Sequence, residues 1–191
     1  MTIPVAGGTC WSELDAAGKR ARLLRAAGEV FARSGLGAPM PEVAAAAGAG
    51  IGSVYRQFPS KRTLLAALVI ERLEQAREDA GAAVLSPVGP WAALVALLWD
   101  HAERQVGDDV FAEALACLST DSEVEDARAA TTTAWERLLE AGRAEGRLRP
   151  DATTDDLRLL FAATRAAGRV EPGAWRRMLE LGIDALDTQA R

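Results

Sequence analysis

The chain has 191 residues and a formal net charge of −5; 49% of its residues are hydrophobic, with a single Tyr and four Phe. That length buries a real core in one or two domains, and a composition rich in Ala and Leu but poor in Tyr, Phe and β-branched residues favours helix over sheet. No apolar run reaches the roughly 18 residues of a spanning helix, the start lacks the basic-then-apolar order of a signal peptide, and Cys10 and Cys117 make neither a disulfide framework nor a metal spacing, so two reduced thiols in a cytoplasmic protein are expected.

Residues 1–14, rich in Gly, Thr and Pro near their start, read as a flexible arm. A first helix runs from Ser12 or Asp15 to Ser34, with Leu23, Leu24, Ala27, Val30 and Phe31 as its apolar stripe. Gly35 and Gly37 end it. Pro41 to Ala47 forms a short second helix, with Pro where a missing N–H costs nothing. Gly48-Ala49-Gly50 is a turn, and Ile51 to Phe58 is a third helix stopped by Pro59. Ser60 caps a long fourth helix, whose Leu64, Leu65, Leu68 and Leu73 share one side until it fades near Gly81. Two domains are expected, 15–62 and 63–191, with the fourth helix packing against both.

Ser86 to Pro90 is a clear break. The fifth helix, about 90–106, carries Trp91, Leu94, Val95 and Leu98 on one face with Leu97 and His101 beside it. It reads as apolar round most of its circumference and therefore central and buried. Asp108 to Leu118 is a short sixth helix with Phe111 and Leu115. Ser122-Glu123-Val124-Glu125 matches a capping box for the seventh, which continues through Trp135, Leu138 and Leu139 to Gly142 or Gly146. Residues 146–151 form a turn. The eighth helix starts at Thr153 or Thr154 and shows Leu157, Leu160, Phe161, Thr164 and Gly168. Pro172 opens the ninth, where Trp175, Met178, Leu179, Gly182, Ile183 and Leu186 recur at helical spacing. No strand pattern or internal repeat is present.

The net charge hides an asymmetry. From Lys19 to Thr63 eight basic residues (Lys19, Arg20, Arg22, Arg25, Arg33, Arg56, Lys61, Arg62) stand against Glu29 and Glu42, whereas 14 basic and 23 acidic residues follow Thr63. A positive segment on an acidic chain is an electrostatic footprint for phosphate, and the acidic remainder discourages indiscriminate binding. Arginines that merely solvate the first helix would produce the same count.

A helix-turn-helix needs small residues where two helices approach and a turn that permits positive φ. Ala44 to Ala47 followed by Gly48 supplies both. The second helix of the motif must present a polar face to the major groove. Ile51, Gly52, Ser53, Arg56 and Gln57 occupy it, while Val54 and Phe58 face back to the core. Tyr55 and Lys61 lie where flanking backbone phosphates would pass, and Arg20 joins them as a phosphate contact.

Residues 20 to 68 resemble the N-terminal domain of the tetracycline-repressor (TetR) family of transcriptional regulators. The matching segments are LLRAAGEVFARSG and PEVAAAAGAGIGSVYRQFPSKRTLL, which carry F-x-x-x-G, A-x-x-A-G, G-x-x-Y-x-x-F and S-K-x-x-L at the family's offsets. GRLRPD and the Thr-Thr-Asp-Asp that follows also look like the junction before the eighth helix. The resemblance implies an all-α, Ω-shaped homodimer of about nine helices, with an N-terminal three-helix helix-turn-helix DNA-binding domain and a C-terminal ligand-binding and dimerisation bundle. By carry-over, Tyr55 and Lys61 contact phosphate, and Ile51, Gly52, Ser53 and Gln57 sit where members read bases. Arg56 does either, and Gly52 and Ser53 alternatively only let the helix come close. Two departures stand out: Gly50 replaces the usual Ser or Thr cap of the recognition helix, and Pro39-Met40-Pro41 replaces a hydroxyl at the start of the second helix.

The resemblance further implies a small-molecule effector of unknown identity. Trp99, His101, Phe111, Cys117, Trp135 and Phe161 are candidates for its pocket, with packing in the core as the alternative. The eighth and ninth helices would form the dimer interface through Leu157, Phe161, Trp175, Met178, Leu179, Ile183 and Leu186, an apolar stripe that needs a cover; packing within one subunit would also cover it. A single His, no Cys pair and no carboxylate cluster support neither a metal site nor a catalytic dyad. No cofactor and no membrane partner are expected. The sequence reads as a repressor released from a palindromic double-stranded operator by its effector. A helical dimeric scaffold that has lost DNA recognition is the alternative.

Overall fold

The structure is a computed structural model that describes residues 10–105 and 109–189. The expected arm over 1–9, the end of the fifth helix at 106 and the start of the sixth at Asp108 lie outside those residues. Within the arm's remainder, Trp11–Glu13 forms a 3-10 turn, closed by Glu13 accepting from the Cys10 N–H at 3.0 Å. Two compact units, Met1–Val69 and Ile70–Arg191, divide the chain inside the fourth helix. Among the described residues no helix is long and apolar enough to cross a membrane.

In the first unit, α1 (Ala16–Ser34) starts where the Asp15 carboxylate accepts from the Gly18 N–H at 2.7 Å, and it ends at Gly35, φ 73°. Helix α2 (Met40–Ala47) begins one residue before the expected Pro41, which sits in its first turn. Helix α3 (Ile51–Gln57) ends at Phe58. Leu23, Ala27, Val30, Phe31, Val43, Ala47, Val54, Phe58 and Leu64 build the core, each almost fully buried. Burying one such aliphatic or aromatic side chain contributes roughly 1.5–3 kcal/mol. Helix α4 (Lys61–Val84) opens on a reciprocal pair: Thr63 N–H donates to Ser60 Oγ at 3.1 Å and Ser60 N–H to Thr63 Oγ1 at 3.0 Å.

The second unit continues with α5 (Pro90–Gln105), α6 (Asp109–Cys117), α7 (Ser122–Ala144), α8 (Thr154–Val170) and α9 (Ala174–Leu186). Two start signals resolve differently from the expectation. The cap of α7 is Asp121 and not Ser122, its carboxylate accepting from Val124 N–H at 3.5 Å; adjacent Asp and Ser both suit a cap, and the acid precedes. Helix α9 starts after Gly173, φ 93°, whose left-handed backbone breaks the run from Pro172. Helix α8 opens at Thr154 on a capping box between Thr153 and Asp156. That contact, with the Thr153 hydroxyl leading, holds the Asp156 carboxyl below its ordinary range.

Helix α5 is amphipathic and not apolar all round. Trp91, Ala93, Leu94, Leu98 and Ala102 are buried against Trp135, Leu138, Leu139, Leu157, Leu160, Trp175, Leu179 and Leu186, while Ala92, Ala96, Asp100, Glu103 and Arg104 are exposed. The small alanines among the leucines make the exposed face look apolar in sequence. Thr131 on α7 is buried, and its hydroxyl lies 2.9 Å from the Leu73 carbonyl of α4 and 2.8 Å from that of Ala127. Helices α8 and α9 meet closely at Gly182, where a Cβ would stand 2.1 Å from Leu160 Cδ1. One antiparallel bridge, Leu148 to Asp187, ties the turn after α7 to the end of α9. Arg147 adds a two-point pair to Asp187 at 2.7 and 3.3 Å, holding that carboxyl low.

Candidate nucleic-acid interface

The motif turns at Gly48, φ 65°, and the Ala49 N–H closes back on the Ala44 carbonyl at 2.9 Å. Left-handed backbone favours glycine there, and a Cβ would also press to 3.3 Å from an Arg22 guanidinium nitrogen. Ala44 and Ala47 are buried, so α2 and α3 approach through methyl groups. Glu42 in the first turn of α2 accepts from Ser34 Oγ at 2.9 Å and Arg33 Nη2 at 3.1 Å. Those two donors, Ser34 first, hold its carboxyl below the usual range and fix the end of α1 to the start of α2.

Val54 is the one α3 residue that is buried, and Phe58 behind it anchors the helix end. Everything else on α3 is at least partly open. Ile51 and Tyr55 are 41% and 47% exposed, Gly52 and Arg56 are exposed, and Ser53 and Gln57 are half-buried. Arg56 Nη2 donates to Ser53 Oγ at 2.8 Å. Two of the expected phosphate contacts are seated on core aromatics: the Arg20 guanidinium lies 4.8 Å from the Phe58 ring centroid, and Lys61 Nζ 5.6 Å from that of Phe31. Cation–ring attraction adds about 0.5–1 kcal/mol at an exposed site and narrows where each charge sits. The two departures are physical: neither Pro39 nor Gly50 makes a side-chain cap bond. Together the unit presents a short helix with a nearly empty packing role, flanked by placed cations. Such a surface suits a nucleic-acid groove, the cations meeting phosphates and the helix meeting base edges.

In the second unit the six effector-pocket candidates separate. His101, Trp135 and Phe161 cluster: ring centroids are 4.8 Å apart for His101 and Phe161, 5.9 Å for His101 and Trp135, and 6.4 Å for Trp135 and Phe161. Burial, then the Arg104 and Arg72 cations against Asp100 and Asp79, push the His101 pKa down to about 4. Trp99 packs edge-on to Trp175 at 6.1 Å instead. Phe111 lies under the Arg72 guanidinium at 4.9 Å, and Cys117 is exposed at the end of α6. None of the six lines the depression of about 260 Å³ bordered by Arg149, Asp151, Asp156, Leu160, Gly182, Ala185 and Leu186. Arg149 there already holds Asp151 at 2.6 and 2.7 Å, and Asp156 accepts from Thr153.

The side chains named for the dimer face divide between the subunit's own core and its surface. Leu157, Trp175, Leu179 and Leu186 are buried in the subunit's own core, whereas Phe161, which belongs to the ring cluster, Met178 and Ile183 stay half-open. The apolar side chains turned outward are others: Leu159 is 63% exposed, Val170 87% and Leu181 47%. Their signal was present, because Leu159, Ala163, Ala166 and Val170 recur at i, i+4, i+7 and i+11 on α8, a second stripe obscured by its alanines.

Comparison with known proteins bears on both units. Residues 23–68 match the model of bacterial regulatory proteins of the tetR family, and residues 89–188 match the C-terminal domain of SbtR-like transcriptional regulators. Among solved structures, a TetR transcription regulatory protein from Mycobacterium vanbaalenii is similar at 30% identity and a TM-score of 0.70, over 91% of this chain and 98% of that one. A TetR transcriptional regulator from Streptomyces coelicolor is 26% identical with a TM-score of 0.70, over 90% and 99%. The ketosteroid transcriptional regulator of Mycobacterium tuberculosis, 23% identical over 92% and 98% with a TM-score of 0.65, shares the fold. No curated protein matches the chain. These relatives are regulators rather than enzymes, and the chain is a ligand-responsive, DNA-binding transcriptional regulator: it belongs to the tetR family of bacterial regulatory proteins.

Proposed function

We propose that the chain is a repressor that holds a palindromic operator as a homodimer in the cytoplasm and lets go when a small molecule binds its C-terminal unit. The observation that carries this is α3: six of its seven residues are at least partly open to solvent, four of them exposed, while Arg20 and Lys61 stand seated on aromatic rings beside it. A helix whose exposed face does no packing is free to read DNA. We assign base reading to Ile51, Gly52, Ser53, Arg56 and Gln57 and phosphate contact to Tyr55, Lys61 and Arg20. The dimer partner covers the outward face of α8 and α9 around Leu159, Val170, Met178 and Leu181. The effector region is assigned to the side of the second unit where His101, Trp135 and Phe161 cluster. Ligand shifts the population toward a spacing of recognition helices that no longer matches successive major grooves.

Selection on random duplex DNA tests the reading. A near-palindrome should be enriched, with affinity falling steeply as salt rises because phosphate contacts release counterions. Lys61→Ala and Tyr55→Phe should weaken all sequences alike, the former with a shallower salt slope. Failure to enrich any sequence at low salt would favour the second reading, a scaffold without DNA recognition, which the missing side-chain caps at Pro39 and Gly50 make specific.

A further inference from the structure

Of the exposed residues on α3, Arg56 carries the strongest hydrogen-bonding group, and it does not extend freely into solvent. Its Nη2 donates to Ser53 Oγ at 2.8 Å, folding the side chain back toward the helix N-terminus. That is the direction long helical side chains favour. The bond occupies one of five guanidinium N–H donors and leaves the others in their planar fork. It also engages the Ser53 oxygen, and Ser53 is half-buried whereas Arg56 is exposed. Besides the base contact assigned to it above, Ser53 is therefore well placed to aim the arginine.

The neighbouring position agrees. Gly52 is exposed, and a Cβ built there meets nothing within 4 Å. Neither the packing of the unit nor a positive φ calls for glycine here, and glycine inside a helix costs stability. Gly52 lies four residues before Arg56, on the same face one turn away. A bare stretch of backbone beside the folded-back guanidinium leaves room for a base edge to come against the helix.

We propose that Arg56 reads a guanine in each half-operator and that Ser53 is the positioning residue that sets its guanidinium. Guanine offers N7 and O6 as paired acceptors to the arginine fork, whereas adenine sets an N6 donor against it. The proposal rests on the operator-binding reading above.

The test compares wild type, Arg56→Ala, Ser53→Ala, Ser53→Thr and the double Ala variant by selection on random duplexes, followed by affinities at one salt concentration. The wild-type operator should contain a G·C pair in each half-site whose replacement by A·T weakens binding about ten- to hundredfold. Arg56→Ala should abolish that ratio. Ser53→Ala should reduce the ratio at the same base pair and nowhere else, Ser53→Thr should restore it, and the double variant should match Arg56→Ala. A Ser53→Ala effect at a different base pair, or none, overturns the positioning role. If Arg56→Ala weakens every sequence equally, with a shallower salt slope, Arg56 holds phosphate and the guanine assignment falls. Thermal melts of each variant separate these results from misfolding. If wild type enriches no sequence, the operator-binding reading fails and takes this proposal with it; enrichment with an unchanged Ser53→Ala profile removes the proposal alone.

Discussion

His101 shows how one side chain can carry both a pocket assignment and a stability cost. With its pKa pushed down to about 4, the folded chain keeps it neutral where the unfolded chain, near the ordinary 6.5, binds a proton. Stability from neutral His101 is complete above pH 6.5 and is lost as pH falls from 6.5 toward 4, since the unfolded state gains the proton first. A displacement of that size corresponds to roughly 3 kcal/mol. Arg104 and Arg72 oppose protonation and Asp100 and Asp79 favour it, so the direction follows burial and the two cations. The lowered carboxyls of Asp151, Asp156 and Asp187 act in a lower window, their stabilisation being lost only as pH falls below about 4 through their folded values. Thermal unfolding of wild type and His101→Gln between pH 7 and pH 5 should therefore converge as pH falls, wild type losing more. Parallel curves would place His101 in water in the folded state.

The helices themselves were largely legible, because a stripe such as Leu23, Leu24, Ala27, Val30 and Phe31 and a glycine stop at Gly35 are local facts of the chain. What periodicity does not say is who covers a stripe. Trp175, Leu179 and Leu186 on α9 are covered by their own subunit, and the sequence pattern is the same for either cover. The close approach at Gly182 is likewise a tertiary fact, invisible until Leu160 is placed opposite. An added Cβ there meets Leu160 Cδ1 at 2.1 Å and Cγ at 3.1 Å. Gly182→Ala should cost about 1–3 kcal/mol by overpacking, partly offset by the better helix propensity of alanine. Denaturant titration of Gly182→Ala, Leu160→Ala and the double variant should give a double-variant loss well below the sum of the singles. Strict additivity would mean that the two helices relax apart at no cost.

At the scale of the molecule, the basic run from Lys19 to Thr63 and the acidic remainder give one chain two electrostatic characters. The residues proposed to meet DNA could be named from sequence because the motif is contiguous, whereas the pocket candidates come from four helices, and the ring contacts join only His101, Trp135 and Phe161 into one cluster while Phe111 lies under Arg72 and Cys117 is exposed. Assembly follows the same logic. If the outward stripe is the dimer face, Leu159→Glu and Leu181→Glu should shift sedimentation toward monomer while circular dichroism stays helical. Leu179→Ala, by contrast, removes a fully buried side chain and should cost about 2–5 kcal/mol of stability whatever the oligomeric state. An unchanged dimer in both glutamate variants would move the interface elsewhere on the surface.

The sparse anchoring of α3 has one more consequence, for how such a protein changes its address. Val54, with Phe58 at the helix end, secures the segment, so Ile51, Gly52, Ser53, Tyr55 and Arg56 answer to almost no internal constraint. Surface substitutions of that kind usually move stability by less than about 0.5 kcal/mol. On the proposal that α3 reads the operator, a duplicated copy can acquire a new operator by a few changes on this one helix while its core and effector response stay as they were. Conversely, a designer can exchange the five as a cassette and expect the folded yield to be unchanged.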